Sequence, residues 1–350
     1  MSMPYYDDQA LLKSIREEDP APVYLIYGRE TYYSSVCLQK LLAKMVKKGT
    51  ESFNFRKFDG TGVDMVAVRT ECESLPLMAD YKCVLIQNPN LEKLPAADLE
   101  TLTEIMDDPN PTTVLILYVS AYDLNPKKNA RLKKLMEQIA RVGIVADIQP
   151  KSQAELIRLI RQKCQKAGCS IDQVTASILI DRCGTAMEIL MRETDKLIAY
   201  RMQGEITRAD VELVTHKSLE ASIFDLSKAM LGGGGRTRAF QILNDLFIQR
   251  EEPSRILSVL SGSFIDLYRA KAAHNAGKTA NDLLSVYSYG KRAFLVNNAF
   301  RDVPRYSMRM LRGSLNILMQ TELAMKSGHG EDRILVEEAV AQILALKEEG

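Results

Sequence analysis

The first residues whose types and spacing could do chemistry lie around Gly28, where an apolar segment (23–27) meets a polar turn. At such a junction a phosphate-binding loop has the pattern G-x-x-x-x-G-K-[ST], in which backbone N–H groups and a lysine hold the phosphates. Counted from Gly28, Tyr33 takes the place of the second glycine, Ser34 that of the lysine, and Ser35 that of the Mg²⁺-binding hydroxyl. Because the second glycine and the cation are missing, we expect this segment not to bind ATP.

A second position also argues against ATP hydrolysis. ATPases built on such a sheet end a later strand with acidic residues that hold Mg²⁺, whereas the strand-like segment 81–89 has Gln87 and Asn88 there. The three histidines and six cysteines form no C-x-x-C pair, and no Ser-His-Asp, Cys-His or paired-carboxylate arrangement stands out. We therefore expect no catalytic residue, no metal site and no cofactor.

The composition is that of an ordinary globular chain. Hydrophobic residues make up 46% of the 350 positions, a length that suggests two or three domains. Lys and Arg number 46 against 45 Asp and Glu, so the chain as a whole is not a polyanion binder. The start of the sequence lacks a signal-peptide pattern, and no apolar stretch approaches the ~20 residues of a membrane helix. We expect a cytoplasmic protein without a membrane partner, with its cysteines as buried free thiols.

The elements that must position these residues alternate over the first part of the chain. Strand-like segments are separated by segments in which apolar residues recur at helical spacing. Strands joined by helical crossovers form a parallel, doubly wound sheet. The strand-like segments are 22–28, 53–60, 81–89, 112–120 and 143–149.

The rest of the chain shows a series of helices and almost no strand signal. Ser152 and Glu155 form a capping box that opens the first of these helices. The apolar periodicity weakens over 213–222, which indicates a linker, and the glycines at 232–235 indicate a flexible turn between helices. The chain is thus divided into an α/β domain, a small helical domain and a larger helical bundle.

Several stretches, taken in order, resemble the delta-subunit family of bacterial DNA polymerase III, a family of clamp-loader subunits. Each motif is short, and it is their order along nearly the whole chain that carries the resemblance. One departure is Glu322, where the family's closing motif usually has Asp. The matching residues are Gly28 and Glu30; Glu193, Lys196 and Leu197; Gly204, Ile206, Thr207 and Val211; and Phe224, Asp225 and Leu226.

The resemblance implies a subunit that does not hydrolyse ATP, in which the fold was kept for assembly. Such a subunit sits in a ring with the gamma/tau ATPase subunits and delta prime, binds the beta sliding clamp, and helps open the clamp for loading onto primed DNA. The implied fold is an AAA+-like α/β domain with a degenerate nucleotide site (1–149), a small helical lid domain (150–214) and an all-α collar domain (215–350).

The resemblance also implies where the clamp would bind. The family's contact is an apolar pair after a helix of the first domain, and the matching residues are Leu77 and Met78, which follow Pro76. The usual pattern is Leu-Phe, so Met78 is a departure, although methionine also fills apolar pockets well. By residue type alone, burial in the core is the simpler interpretation of both side chains. We place Leu77 and Met78 at the clamp and leave Leu75 in the core.

Two basic clusters are candidate DNA contacts. Lys127, Lys128 and Arg131 belong to the first, and Lys291 and Arg292 to the second. Contacts of lysine and arginine with phosphates are electrostatic and do not require a specific sequence. Such clusters are more often solvated helix faces, so both interpretations remain open.

Two other functions remain as alternatives. An AAA+ ATPase with a degenerate phosphate loop would bind ATP tightly and in a Mg²⁺-dependent manner. A helical adaptor protein outside replication would instead bury Leu77 and Met78.

Overall fold

A computed structural model of the chain describes residues 5–60, 62–232, 235–287, 289 and 293–348. The chain forms two compact units, Met1–Lys151 and Ser152–Gly350, which are called the first unit and the second unit below.

The first unit contains a five-stranded sheet in the order β2–β3–β4–β1–β5, and all of its strand pairs are parallel. Neighbouring parallel strands need crossover connections, which the helices between them provide. The strands are β1 (Val23–Tyr27), β2 (Phe55–Asp59), β3 (Lys82–Gln87), β4 (Thr113–Val119) and β5 (Ile144–Asp147).

Apolar side chains bury both faces of the central strands. Strands β1 and β4 are buried at every position, as their continuous apolar sequences predict, and two clusters of core residues pack against the sheet. Because all strands run the same way, the turn after Tyr27 lies at the carboxyl edge of the sheet. The loop that enters β3 at Lys82 lies at the opposite, amino edge.

Six helices accompany this sheet in the described part of the first unit. One of them, α1, was not predicted from the sequence. Another, α3, occupies part of the predicted strand 53–60, because the backbone N–H groups of Phe53 and Asn54 donate to the Thr50 carbonyl and wind the chain into one turn. The strand therefore begins only at Phe55. The helices are α1 (Asp8–Glu17), α2 (Thr31–Met45), α3 (Glu51–Asn54), α4 (Met65–Glu73), α5 (Ala96–Asp107) and α6 (Ala130–Val142).

The second unit is mostly helical. The predicted capping box of Ser152 and Glu155 opens α7. The helices are α7 (Gln153–Lys166), α8 (Gln173–Cys183), α9 (Met187–Arg201), α10 (Arg208–Val214), α11 (Leu219–Leu231), α12 (Gly235–Ile248), α13 (Pro253–Asn275), α14 (Ala280–Val286), α15 (Ala293–Asp302), α16 (Met308–Lys326) and α17 (Asp332–Glu348), with a 3₁₀ turn at Val303–Arg305.

A small parallel sheet interrupts the helices of the second unit. It pairs β6 (Cys169–Ile171) with β7 (Gly204–Ile206). The sequence shows almost no strand signal in this part, and these two strands were not predicted individually. Three residues are too few to show an alternating pattern, so the pairing could not be read from the sequence.

The predicted linker over 213–222 is shorter than expected. Helix α10 ends at Val214 and α11 begins at Leu219, whose side chain is buried. The loop between them is held by Glu193 of α9, whose carboxylate accepts a hydrogen bond from the His216 backbone N–H at 3.0 Å. Lys196 pairs with the same carboxylate at 2.6 Å, so the Glu-x-x-Lys motif has a structural role.

The predicted fold class, a parallel α/β sheet followed by helical segments, is confirmed. Residues 233 and 234 of the predicted glycine turn lie outside the described residues. The division into domains at 149/150 and 214/215 stays a prediction.

Candidate functional site

An exposed apolar turn leads from α4 to β3 at the amino edge of the sheet; residues 75–78 are called the tip. Pro76 has no backbone N–H and disfavours a helical conformation in the residue before it, so the chain leaves the helix here. Leu75, Leu77 and Met78 expose 77%, 51% and 79% of their surfaces. The expectation that Leu75 lies in the core was wrong, because the residue follows the last turn of α4 and protrudes into solvent.

The backbone of the tip is held by side chains from elsewhere in the first unit. The amide of Asn54, the last residue of α3, accepts a hydrogen bond from the Leu77 N–H at 2.7 Å and donates one to the Leu77 carbonyl at 2.8 Å. Lys47 donates to the Met78 carbonyl at 3.2 Å. Met78 has φ +58°, in the left-handed region that is unusual for residues other than glycine. The tip is therefore a fixed turn with apolar side chains on its outside.

The C-terminal end of α4, from which the tip projects, is fixed as well. The buried ammonium of Lys82 binds both the Glu71 carboxylate and the Ser74 hydroxyl. The hydrogen bond from Lys82 is the main reason why the pKa of Glu71 is lowered. Asn110 donates to the Cys72 carbonyl at 3.3 Å, which satisfies one of the carbonyls left without a partner at a helix end.

The turn after β1, the predicted degenerate phosphate loop, is packed against protein rather than open. Gly28 has φ +129°, and a Cβ atom there would lie 2.2 Å from the Ile148 carbonyl oxygen. The Glu30 N–H donates to the same carbonyl at 3.0 Å. The close backbone approach that needs a glycine is thus an approach to the segment after β5, not to a ligand.

The N-terminus of α2 already has an anion of its own. Glu30 is buried at the N-cap, and its carboxylate accepts a hydrogen bond from the Tyr32 N–H at 3.2 Å. A helix N-terminus attracts phosphate through free N–H groups and the positive end of the helix dipole. The Glu30 carboxylate accepts a hydrogen bond from one of these N–H groups and places a negative charge at the positive end of the dipole. Here, the anion site of the helix is filled by the chain itself.

The other residues of this loop pack into the unit. Ser34 is completely buried, and its hydroxyl hydrogen-bonds to the Thr31 carbonyl and the Tyr118 hydroxyl. Tyr33 is half-buried against the core, and burial raises its pKa to about 12. Ser35 is half-buried on α2.

The end of β3 also carries structural contacts. Asn88 has φ +56°, and its side-chain oxygen accepts hydrogen bonds from the N–H groups of Ser120 at 2.8 Å and Ala121 at 3.1 Å. Asparagine tolerates this left-handed conformation better than most residues. At the position where an ATPase would hold Mg²⁺, an uncharged amide therefore fastens the turn after β4.

The basic candidates differ in their surroundings. Lys127 and Lys128 are exposed in the turn before α6. Arg131, on the first turn of α6, donates to the Leu94 carbonyl at 2.5 Å and so also fastens a neighbouring loop. Lys291 and Arg292 lie outside the described residues.

Other kinds of site find no support in the part of the chain that the structure describes. No group of three or more His, Cys, Asp or Glu side chains there could hold a metal ion. The described helices include none that is both long and apolar enough to cross a membrane. All six cysteines are buried and unpaired, as predicted for free thiols.

The residues that hold the tip were not found from the sequence. Asn54 is one polar residue between Phe53 and Phe55 in a segment with strand-like alternation, and it lies 23 positions before Leu77. Lys47 is one of several basic residues after α2. Neither has a local pattern that identifies its partner, since both contacts form only when distant segments fold together.

Comparison with known proteins identifies relatives over nearly the whole length. The family model described as DNA polymerase III, delta subunit, matches residues 24–143, and the model of the DNA polymerase III delta subunit, C-terminal domain, matches residues 220–343. Together these two matches span more than half of the chain.

Two curated proteins and one solved structure extend this similarity. The chain is 25% identical to the DNA polymerase III subunit delta of Bacillus subtilis (strain 168), covering 96% of both chains. It is 23% identical to the protein of the same name from Escherichia coli (strain K12), covering 91% of this chain and 90% of the other. The structure of the Bacillus subtilis DNA clamp loader delta protein superimposes with a TM-score of 0.71 at 23% identity, covering 97% of this chain and 99% of that one, which shows a shared fold.

Proposed function

The chain belongs to the DNA polymerase III delta-subunit family, and on that premise we propose that it binds the beta sliding clamp through its tip. In the assembled clamp loader it helps to open the ring of the clamp for loading onto primed DNA. The clamp contact consists of Leu77 and Met78.

The observation that carries this proposal is the exposure of apolar side chains on a fixed turn. Leu77 is half exposed and Met78 is largely exposed, although the removal of apolar side chains from water is energetically favourable. Exposed apolar anchors that enter a partner's pocket dominate many interfaces, at about 2 kcal/mol or more each on truncation. The adaptor alternative required both side chains to be buried, so the exposure weighs against it.

The surroundings of α2 support a subunit without ATPase activity of its own. A phosphate would meet the Glu30 carboxylate at the helix N-terminus, and Gly28 is pressed against the Ile148 backbone. The amide of Asn88 is engaged with backbone N–H groups at the place of a metal-binding acid. These contacts weigh against the ATPase alternative.

The remaining partners follow from the family. We propose that the subunit assembles with the gamma/tau ATPase subunits and delta prime, and that it meets primed DNA only in the assembled complex. In the first unit, Lys127 and Lys128 are the better candidates for a phosphate contact, because both are exposed. Arg131 is exposed as well, but one of its guanidinium nitrogens already donates to the Leu94 carbonyl.

The test is a binding measurement with the full chain and the sliding clamp of the same organism, without nucleotide. We expect a complex on size exclusion that the double variant Leu77→Ala/Met78→Ala does not form, because truncation removes both apolar anchors. Val66→Ala is the matched control, since Val66 is 70% exposed on α4 in the same unit. The control variant should bind like the original chain.

The outcomes separate the function from its site. Binding by both the original chain and the double variant would keep the clamp function and move the contact elsewhere. No binding by the original, folded chain would contradict the proposed clamp function itself.

A further inference from the structure

We propose that Asn54 is a positioning residue for clamp binding, which holds the tip in its binding conformation before the clamp arrives. The inference rests on the proposed function, because it assigns a role in that interaction to a residue that does not reach the surface. Asn54 is completely buried, so any effect on binding must act through the residues it contacts.

The geometry of the Asn54 side chain is specific for one backbone unit. Its oxygen accepts from the Leu77 N–H and its nitrogen donates to the Leu77 carbonyl, at 2.7 and 2.8 Å. Leaving a buried polar group without its partner destabilises the fold, so both bonds are expected to persist in the folded chain. They fix the backbone of Leu77 in position and orientation on the rim of the sheet.

The next residue, Met78, has an unusual backbone conformation that this constraint helps to hold. Met78 adopts φ +58°, a conformation that is unfavourable for methionine and persists only where the surroundings impose it. The surroundings here are the Asn54 contacts to Leu77 on one side and the Lys47 contact to the Met78 carbonyl on the other. On the α4 side of the tip, Lys82 and Asn110 hold the end of the helix through hydrogen bonds to Ser74 and Cys72. Without Asn54, the stretch between these attachments would be free to relax.

A fixed turn binds more tightly than a mobile one. A mobile tip would lose backbone conformational entropy in every residue that becomes ordered on binding. Because Asn54 has already ordered Leu77 and Met78 during folding, this loss does not fall on the binding step. Asn54 therefore raises clamp affinity without touching the clamp.

The decisive variant is Asn54→Asp, which is nearly the same size. In its ionised form the new side chain keeps an oxygen that can accept from the Leu77 N–H, but a second oxygen replaces the donor and repels the Leu77 carbonyl. We expect clamp affinity to fall by about tenfold, the effect of losing one buried hydrogen bond and of local relaxation. We also expect amide exchange at Leu77 and Met78 to become faster, with exchange in β1 and β4 unchanged.

Asn88→Asp is the matched control. Asn88 is an asparagine of the same unit, and its side chain also binds backbone groups, but at the carboxyl edge of the sheet. This variant should bind the clamp like the original chain. A combination with Leu77→Ala separates positioning from general destabilisation. If Asn54 acts through Leu77, Asn54→Asp should reduce affinity less in the Leu77→Ala background than in the original chain.

Three results would overturn the inference. One is unchanged affinity of Asn54→Asp despite faster exchange at the tip, and another is an equal loss in the presence and absence of Leu77→Ala. If Asn54→Asp does not fold, amide exchange in the original chain tests the inference instead. If Asn54 orders the tip, the Leu77 amide of the original chain exchanges at least about tenfold more slowly than an unstructured amide. Exchange at the unstructured rate is the third contradicting result. Failure of the original chain to bind the clamp would contradict the proposed function and leave the exchange measurement to decide the role of Asn54 in ordering the tip.

Discussion

Leu75 is the most informative single residue of the tip. It exposes 77% of its surface immediately before Pro76, next to the two residues that carry the proposed contact. An isolated exposed leucine needs no explanation, but three exposed apolar side chains within four positions are typical of an interaction site. Leu75 is therefore a candidate third anchor.

We predict that Leu75→Ala weakens clamp binding about three- to tenfold, less than the double variant, because one exposed side chain loses its apolar contact. Titration calorimetry with the full chain measures this effect. Val66→Ala serves again as the control for loss of an exposed apolar side chain. An unchanged affinity would leave Leu75 as a solvent-exposed residue without a role at the clamp.

At the scale of elements, α4 and the start of β3 depend on one ion pair. Lys82 is buried, and its ammonium binds the Glu71 carboxylate and the Ser74 hydroxyl at the last turn of α4. The pKa of Glu71 is lowered from its ordinary value of 4.5, first by the Lys82 hydrogen bond. The charged pair therefore stabilises the fold above this value, and that contribution is lost as the pH falls through the lower pKa of the folded chain.

We predict that Glu71→Gln lowers the free energy of unfolding by about 2 kcal/mol near neutral pH, because the Lys82 ammonium loses its counter-charge. The difference between the variant and the original chain should shrink as the pH falls below about 4.5. Urea unfolding at a series of pH values measures both effects. Glu100→Gln, an exposed carboxylate on α5, is the control. A difference that stays constant in acid would show that the charge of Glu71 is not responsible.

At the scale of the whole molecule, the six cysteines are distributed over both units. All are buried, three in the first unit and three in the second. Burial raises the pKa of Cys37, Cys72 and Cys83 to about 12. It raises the pKa of Cys164 and Cys183 to about 11. Since the thiolate is the reactive form, these thiols are protected both by access and by protonation.

We predict that the native chain reacts with an aromatic disulfide reagent at neutral pH at least about a hundredfold more slowly than the urea-unfolded chain. The unfolded chain serves as its own control and should release six equivalents of the reporter. A thiol that reacts rapidly in the native chain would reveal a cysteine that is open to solvent.

The sequence determined those features that depend on neighbouring residues. Continuous apolar segments predicted β1 and β4, and the box of Ser152 and Glu155 predicted the start of α7, because caps and periodicity are local. The spacing after Gly28 showed that the second glycine and the lysine of a phosphate loop are missing. The short strands β6 and β7 lack such a signal and were not found.

Only the tertiary structure decided which apolar residues face solvent and what holds them there. Leu75, Leu77 and Met78 have the same residue types as core positions, and their exposure follows from the place of the turn beyond the end of α4. The two hydrogen bonds from Asn54 to Leu77 join residues 23 positions apart. Residue type and periodicity carry no information about such contacts, because they form between side chains and backbone that meet only after the chain has folded.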